Sequence, residues 1–316
     1  MADARWAIGV DVGGTKIAGG VIDETGAVVA CLVERTPEDS DAESVAAVLL
    51  AVIGRLRAAH PAVVAIGVGA AGIIEWPAGR ILWAPNNAYR DWPVRAQIEG
   101  ATGLPTVVDN DANVAALAEA RLGPQHFREM ILVTVGTGIG GGVVFGGRIY
   151  RGPTGLGAEL GHIIVNPEGP RCGCGNHGCL EAYASGTALT RMARDAAADD
   201  PDGVIARLGT EQGGITGRTV TMAALAGDPV AVALFARLGR WLGVGIASLA
   251  NAFELEAVVV GGGLVQTGEL LLGPARAAAR EFAYAPTVRG IVPVLPATSG
   301  SEAGMIGAAL LAFEHA

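Results

Sequence analysis

His162, Cys172, Cys174 and Cys179 stand in one short stretch flanked by Glu159 and Glu181, and they include three of the four cysteines in the chain. Two thiols one residue apart, a third after a glycine-rich interval and one upstream imidazole make the Cys3His set that tetrahedral zinc takes. Gly173, Gly175 and Gly178 let the backbone wrap tightly enough to turn three sulfurs toward one point. A disulfide reading leaves one of the three thiols over. Four protein ligands leave no position open for water, so the zinc is expected to be structural.

Two glycine-rich turns carry a second chemistry, that of phosphate. Backbone N–H groups in a tight turn without side chains converge on anionic oxygens, and glycine lets the backbone come close. The run from Ile8 contains Asp11, Gly13, Gly14, Thr15 and Lys16, and the run from Ile131 contains Gly136, Thr137 and Gly138. Neither is a standard nucleotide loop. Residues 9–16 depart from the P-loop because Thr15 separates Gly14 from Lys16 and a strand follows. Residues 136–141 and 67–72 match the dinucleotide fingerprint by letters, but neither opens a helix, so a pyrophosphate would lack its helix N-terminus.

The elements that must hold these residues follow from the pattern. In both runs a β-branched strand enters a Gly/Thr turn and leaves as a second strand, a hairpin signal that suggests duplicated halves. Ser40 with Glu43 reads as a capping box opening an amphipathic helix to about residue 60. A strand at 63–68, a loop over 69–92, a strand at 106–108 and a helix from about Val114 to the Gly123-Pro124 stop follow. Beyond the zinc stretch come a polar interval over 195–217, a helix capped by Asp228-Pro229, a strand at 257–260 ending in three glycines, and a last helix from near Ser301.

Composition sets the frame. A chain of 316 residues that is 51% hydrophobic buries a large core and is expected to form two domains. A net charge of -9 argues against nucleic acid or an anionic membrane as partner. No secretory signal precedes Trp6, and Gly, charged and polar residues interrupt every apolar stretch short of a bilayer's width. A soluble, cytoplasmic protein with reduced cysteines is the expectation.

Taken in order, Asp11-Val-Gly-Gly-Thr-Lys16, Asn110-Asp111-Ala-Asn113, Gly136-Thr-Gly138, Glu159-Leu-Gly-His162 and the run from Cys172 to Glu181 resemble the motifs of the ROK sugar kinases, over essentially the whole chain. Among that family the sequence is most similar to the bacterial members that phosphorylate glucose with ATP. The resemblance implies a two-lobed, ribonuclease-H-like (actin/hexokinase-like) α/β fold with duplicated halves and a structural zinc loop. It implies a small lobe over 1–120, joined by the C-terminal helix at about 300–316, and a large lobe over 121–299 carrying the zinc loop.

Roles carried over by resemblance are these. Asp11 holds Mg2+ directly or through water, Gly13, Gly14 and Thr15 approach the β- and γ-phosphates, and Thr137 and Gly138 grip phosphate from the other lobe. The turn around Gly262 accepts the adenosine end. Asn110, Asp111, Glu159, His162 and Glu181, with Gly72 and Asn86, bind the sugar in a cleft, and Asp111 is the general base. Glucose leads as substrate, with N-acetylglucosamine, N-acetylmannosamine, mannose and fructose behind it, and a homodimer or homotetramer is implied. A non-catalytic sugar-sensing regulator of the family would carry a DNA-binding domain ahead of the kinase-like part.

Several residues have blander readings. Asp111 at a helix start could be a capping residue, a role that coexists with catalysis. Glu159 could sit on the surface or support the zinc, Lys16 is a solvated or phosphate-proximal charge, and Cys31 is expected to pack in an apolar strand. His177 lies in the zinc loop and could compete as ligand. If zinc binds one nitrogen of His162, the other is fixed as a donor toward sugar, so metal and sugar are expected to be coupled while the phosphate turns, on other segments, stand apart.

Overall fold

Strand β1 (Trp6–Val12) alternates large and small residues, and this alternation shapes the first half of the molecule. Ile8, Val10 and Val12 share one face of the sheet, and Ala7, Gly9 and Asp11 the other. β4 (Val63–Ala70) repeats the plan, with Ile66 and Val68 against Ala65, Gly67 and Gly69. Together with β2 (Lys16–Asp23), β3 (Val28–Arg35) and β8 (Thr106–Asn110) they form a sheet in the order β3-β2-β1-β4-β8. The predicted hairpin pairs β1 with β2 antiparallel, and β4 and β8 continue parallel to β1. The computed structural model describes residues 5–37, 41–84 and 90–316.

The large-residue face packs on α1 (Ala42–Ala59) and α2 (Val94–Thr102), burying Leu49, Ile53, Ile66 and Ile98 in one core. The small-residue face receives α3 (Asp111–Leu122) and α11 (Ala303–Phe313), which follows a 3-10 turn at Gly300–Glu302. Small residues there let α11 lie directly on the sheet, and a Cβ on Gly67 would collide with the Ala308 backbone. The cap of α1 differs from expectation. Asp41 accepts from Ser44 N at 2.7 Å, and Ser40 lies outside the described residues.

These elements belong to a unit of residues 1–132, 142–158 and 298–316; a second unit comprises 133–141 and 159–297. The stretch 69–92, expected as loop, holds a small antiparallel sheet of β5 (Ile73–Glu75), β6 (Arg80–Trp83) and β7 (Arg90–Trp92). Strands so short leave little period-2 pattern to read between glycines and prolines.

The second predicted hairpin is β9 (Met130–Val135) and β10 (Ile139–Phe145). With β11 (Arg148–Tyr150), β12 (Ala257–Gly261) and β13 (Val294–Pro296) they form a second sheet, β11-β10-β9-β12-β13. Two sheets seeded by similar hairpins bear out the duplicated α/β fold.

The second unit carries α4 (Glu181–Ala184), α5 (Gly186–Asp199), α6 (Val204–Glu211), α7 (Gly217–Leu225), α8 (Pro229–Ala252), α9 (Glu269–Glu281) and α10 (Pro286–Arg289). The polar interval 195–217 thus holds the end of α5 and all of α6, helices that the sequence reading did not assign. Asp228 caps α8 by accepting from Ala231 N at 2.8 Å, with Pro229 in the first turn as predicted. Among the described residues α8 alone is long and apolar enough to cross a membrane, but Arg237 and Arg240 interrupt it, and half of its apolar window is buried. Gly239 and Gly243 account for that: a Cβ on either would collide with the α9 backbone, so α8 is a core helix packed closely on α9.

Candidate functional site

In the first unit the carboxyl ends of three neighbouring parallel strands gather the polar residues. Asp11 of β1 pairs with Gly69 of β4, and Ala70 pairs with Asn110 of β8. Asp11 lies on the small-residue face, where a Cβ on Gly304, in the first turn of α11, would stand 2.8 Å from its carboxylate carbon. Asp111 opens α3, yet the capping residue is Asn110, whose side-chain oxygen accepts from Ala112 N at 2.9 Å and Asn113 N at 3.3 Å. That corrects both the helix start and the reading of Asp111 as cap. The Asn110 amide nitrogen donates to Gly72 O at 3.1 Å, which leaves it one further hydrogen to give. Gly72 holds φ at 123°, and Asn86 lies outside the described residues.

Both acids hold protons more tightly than free aspartates. Burial raises the Asp111 pKa, against hydrogen bonds from Ala112, its own backbone and Asn110. Asp11 is pushed up to about 6, by burial first and by the Asp111 charge next, while Lys16 pulls it down. A carboxylate raised by its acidic neighbour is one that a divalent cation would relieve.

The turn between β1 and β2 leaves Gly14, Thr15 and Lys16 exposed. Gly13 N donates to Lys16 O at 3.0 Å, and Thr36, at the end of β3, donates its hydroxyl to Gly13 O at 2.7 Å and its amide to Thr15 O at 3.1 Å. Thr36 escaped the sequence reading because nothing local marks it.

In the second unit the ligand atoms of His162, Cys172, Cys174 and Cys179 all lie within 4.8 Å of one another. Cys172 Sγ stands 3.7 Å from His162 Nδ1, and Cys174 Sγ 3.7 Å from Cys179 Sγ. A tetrahedron of metal–ligand bonds of about 2.0–2.3 Å has edges of about 3.6–3.8 Å, so the set fits zinc. The donor chemistry agrees. Burial, then the neighbouring Cys174 and Cys172, pushes the Cys179 thiol up to about 12, the effect of crowding three sulfurs together. Gly175 and Gly178 hold φ at 97° and 71°, and bridges Ile164–Cys179 and Arg171–His177 close the hairpin. His177 stands outside the ligand group, its Nδ1 3.2 Å from Gly169 O. Cys31 corrects its expectation: it is exposed on β3.

Glu159 and His162 flank a 3-10 turn, Leu160–His162, in which His162 N donates to Glu159 O at 3.0 Å. Gly161 lets that turn settle on the Ile139 backbone. Glu181 then joins two regions that the sequence reading kept apart. Its Oε1 lies 3.6 Å from Cys172 Sγ, and its Oε2 accepts from Ile139 N, just after the 136–138 turn, at 2.9 Å. A Cβ on Gly138 would collide with that carboxylate. The same turn is clamped by α5, whose first amides, Gly186 N and Thr187 N, donate to Gly136 O at 2.8 Å and Thr137 O at 3.1 Å.

Beside this turn opens a cavity of about 1060 Å³. Gly136 and Thr137 form one edge, Gly263 and Leu264 another, and Thr187, Thr190, Arg191, Arg194, Arg218 and Thr221 supply polar walls. Gly262, φ 85°, packs against the Val135 backbone rather than into the cavity, so its neighbour Gly263 forms the wall. The sequence reading missed the helical residues here. Their signal was a polar stripe at 187, 190, 191 and 194, the spacing of one helix face.

Two phosphate-type turns, paired acids, a Cys3His hairpin and this cavity meet in one chain, and the ROK family pattern matches it over residues 7–315. The chain belongs to the ROK family. It is similar to the glucokinase of Streptomyces coelicolor, 40% identical over 311 residues and 97% of each chain. To the glucokinase of Halalkalibacterium halodurans it is 38% identical over 313 residues, 97% of this chain and 94% of that one. The solved structure of a ROK family glucokinase from Streptomyces griseus in complex with glucose and AMPPNP matches with a TM-score of 0.84 at 43% identity, over 98% of this chain and 99% of that one.

Proposed function

We propose that this protein is an ATP-dependent hexose kinase that converts glucose to glucose 6-phosphate. Full-length similarity to glucokinases supports the class, and the placement of Asp111 carries the mechanism. Its carboxylate, of raised proton affinity, stands at the head of α3 beside Asn110, with β4 between the strand that leads into it and that of Asp11. Asp111 takes the proton of the sugar's attacking hydroxyl, whose oxygen bonds to the γ-phosphorus as the bond to the ADP oxygen breaks. Asp11 would hold the Mg2+ that accompanies ATP, and that ion would neutralise phosphate charge; Gly13, Gly14 and Thr15 face the phosphates, and Thr137 and Gly138 offer a second anion-facing turn. The cavity beside Thr187 and Arg218 takes the nucleoside. Asn110, Gly72, Glu159, His162 and Glu181 hold sugar hydroxyls.

His162, Cys172, Cys174 and Cys179 would hold a structural zinc, which would anchor the hairpin rather than take part in the reaction. His162 Nδ1 lies 3.7 Å from Cys172 Sγ on the side of the thiols, so Nε2 is the nitrogen left to face a hydroxyl. Cytoplasmic residence, which suits reduced thiols, and a homodimer or homotetramer complete the reading and rest on the family resemblance.

A coupled ADP-release assay across glucose, N-acetylglucosamine, N-acetylmannosamine, mannose and fructose tests the substrate, with glucose expected to give the highest kcat/KM. Asp111→Asn keeps the shape and removes the proton acceptor, so kcat is expected to fall about 10²–10⁴-fold while glucose binding survives. Near wild-type turnover in that variant would rule Asp111 out as the base.

A further inference from the structure

Behind the Asn110-Asp111 pair lies an ion pair that this mechanism does not use. Asp109, 3% exposed at the end of β8, accepts from Arg151 Nε at 2.5 Å through Oδ2. Through Oδ1 it accepts from Asn110 N at 2.7 Å and from Asn113 Nδ2 at 2.9 Å. The Arg151 guanidinium lies 3.8 Å above the centre of the Trp76 ring, and its Nη1 donates to Ile149 O at 3.3 Å. One carboxylate therefore ties the arginine to the backbone of Asn110, just before Asp111, and to the side-chain amide of Asn113, two residues after it.

Stability gives a poor reason for this arrangement. A buried ion pair gains little over apolar residues of the same volume, because both charges lose their water. Here the cost is compounded, since Arg151 Nη2 and Asn113 Oδ1 are buried without hydrogen-bond partners. What the pair supplies is direction. The ring below and the carboxylate beside it fix the guanidinium plane, and the shared carboxylate passes that constraint to the first turn of α3.

We propose that Arg151 is a positioning residue for phosphoryl transfer, acting through Asp109 to aim the Asp111 carboxylate. This rests on the reading of Asp111 as the base. Arg151 touches no reacting atom; its effect passes through Asn110, Asp111 and Asn113. Lysine cannot replace it fully, because an ammonium neither stacks flat on Trp76 nor holds a fixed donor direction.

The test is a double-mutant cycle at saturating glucose and ATP on variants checked by circular dichroism and thermal melting. Arg151→Met in the wild-type background is expected to lower kcat about 10–100-fold, to raise the glucose KM through Asn110 and to leave the ATP KM within about twofold. In the Asp111→Asn background the same change is expected to alter kcat by less than about twofold, since no base remains to aim. Arg151→Lys, which keeps charge and most of the volume, should fall between and carries the cycle if the methionine variant does not fold. Losses that multiply fully in the double variant would overturn the proposal and leave the base intact. An Asp111→Asn protein of normal turnover would overturn the base and the proposal with it.

Discussion

The turns at 13–15 and 136–138 close hairpins of one sequence plan, yet among the described residues the first is held from outside the hairpin by one threonine while the second is clamped from two directions. Thr36 holds the first through Gly13 O and Thr15 O. The second has its carbonyls satisfied by the head of α5 and the following amide, Ile139 N, held by Glu181. The strand ahead of each turn differs too, with Asp11 as the next-to-last residue of β1 and Thr134 at the matching place in β9. Duplicated halves have thus divided the work. One brings a carboxylate and loosely held amides; the other brings a braced backbone tied through Glu181 to the Cys3His hairpin.

The largest effect is expected where that brace is cut. Cys174 is exposed, so Cys174→Ala, or stripping zinc with a strong chelator, should leave a folded protein with a loosened hairpin. Glucose affinity should fall because His162 and Glu181 lose their aim. Affinity for a non-hydrolysable ATP analogue should fall as well, because Glu181 no longer fixes the amide after Gly138. Activity should drop on the order of 10²-fold, as misplacement of about 1 Å does. Zinc content and both affinities measured on the same samples check this, and a zinc-free protein of unchanged analogue affinity would break the contrast between the two turns.

That link is also where the sequence stopped being legible. The Cys3His set stood out because four ligands fell within a short span, and the hairpins because β-branched runs flank Gly/Thr turns. Glu181 could be picked as a residue of interest, but its bond to Ile139 joins positions far apart in sequence that no period relates. The cap of α3 was misplaced by one residue because Asn110 and Asp111 are both good caps and only backbone geometry separates them. Residues 195–217 hid a helix because Asp and Gly dilute its apolar face, and Arg151 sits in a loop-like run with no hint of its partner Asp109. Local chemistry was readable; long-range pairing was not.

A smaller effect separates the strands that feed the turns. The Asp11 pKa rises from 3.8 unfolded to about 6 folded, so between those values the folded state binds more protons than the unfolded one. Stability therefore falls as pH rises through that window, and above it a penalty of up to about 2–3 kcal/mol remains in the absence of Mg2+ and nucleotide. Asp11→Asn removes the penalty: its melting temperature should exceed the wild type's at pH 7 and approach it near the bottom of the window, although activity is lost. Thr134→Val, at the matching place, carries no charge and should leave the pH slope unchanged. Parallel melting curves for Asp11→Asn and wild type across pH would refute the assigned shift.

The smallest expected effect tests the single tether of the first turn. Thr36 is buried, and its hydroxyl bond to Gly13 O is worth about 1 kcal/mol net, so Thr36→Val should weaken binding of the ATP analogue up to about fivefold with little change in glucose affinity. Thr36→Ser keeps the donor and should restore it. Thr187→Val removes the hydroxyl bond to Thr137 O but keeps the amide bond to the same oxygen and the grip of Gly186 and Glu181, so a loss below about twofold is expected. Calorimetric titration of the three variants decides it. If Thr187→Val weakens nucleotide binding more than Thr36→Val does, the second turn is the loosely held one and the division of labour between the halves runs the other way.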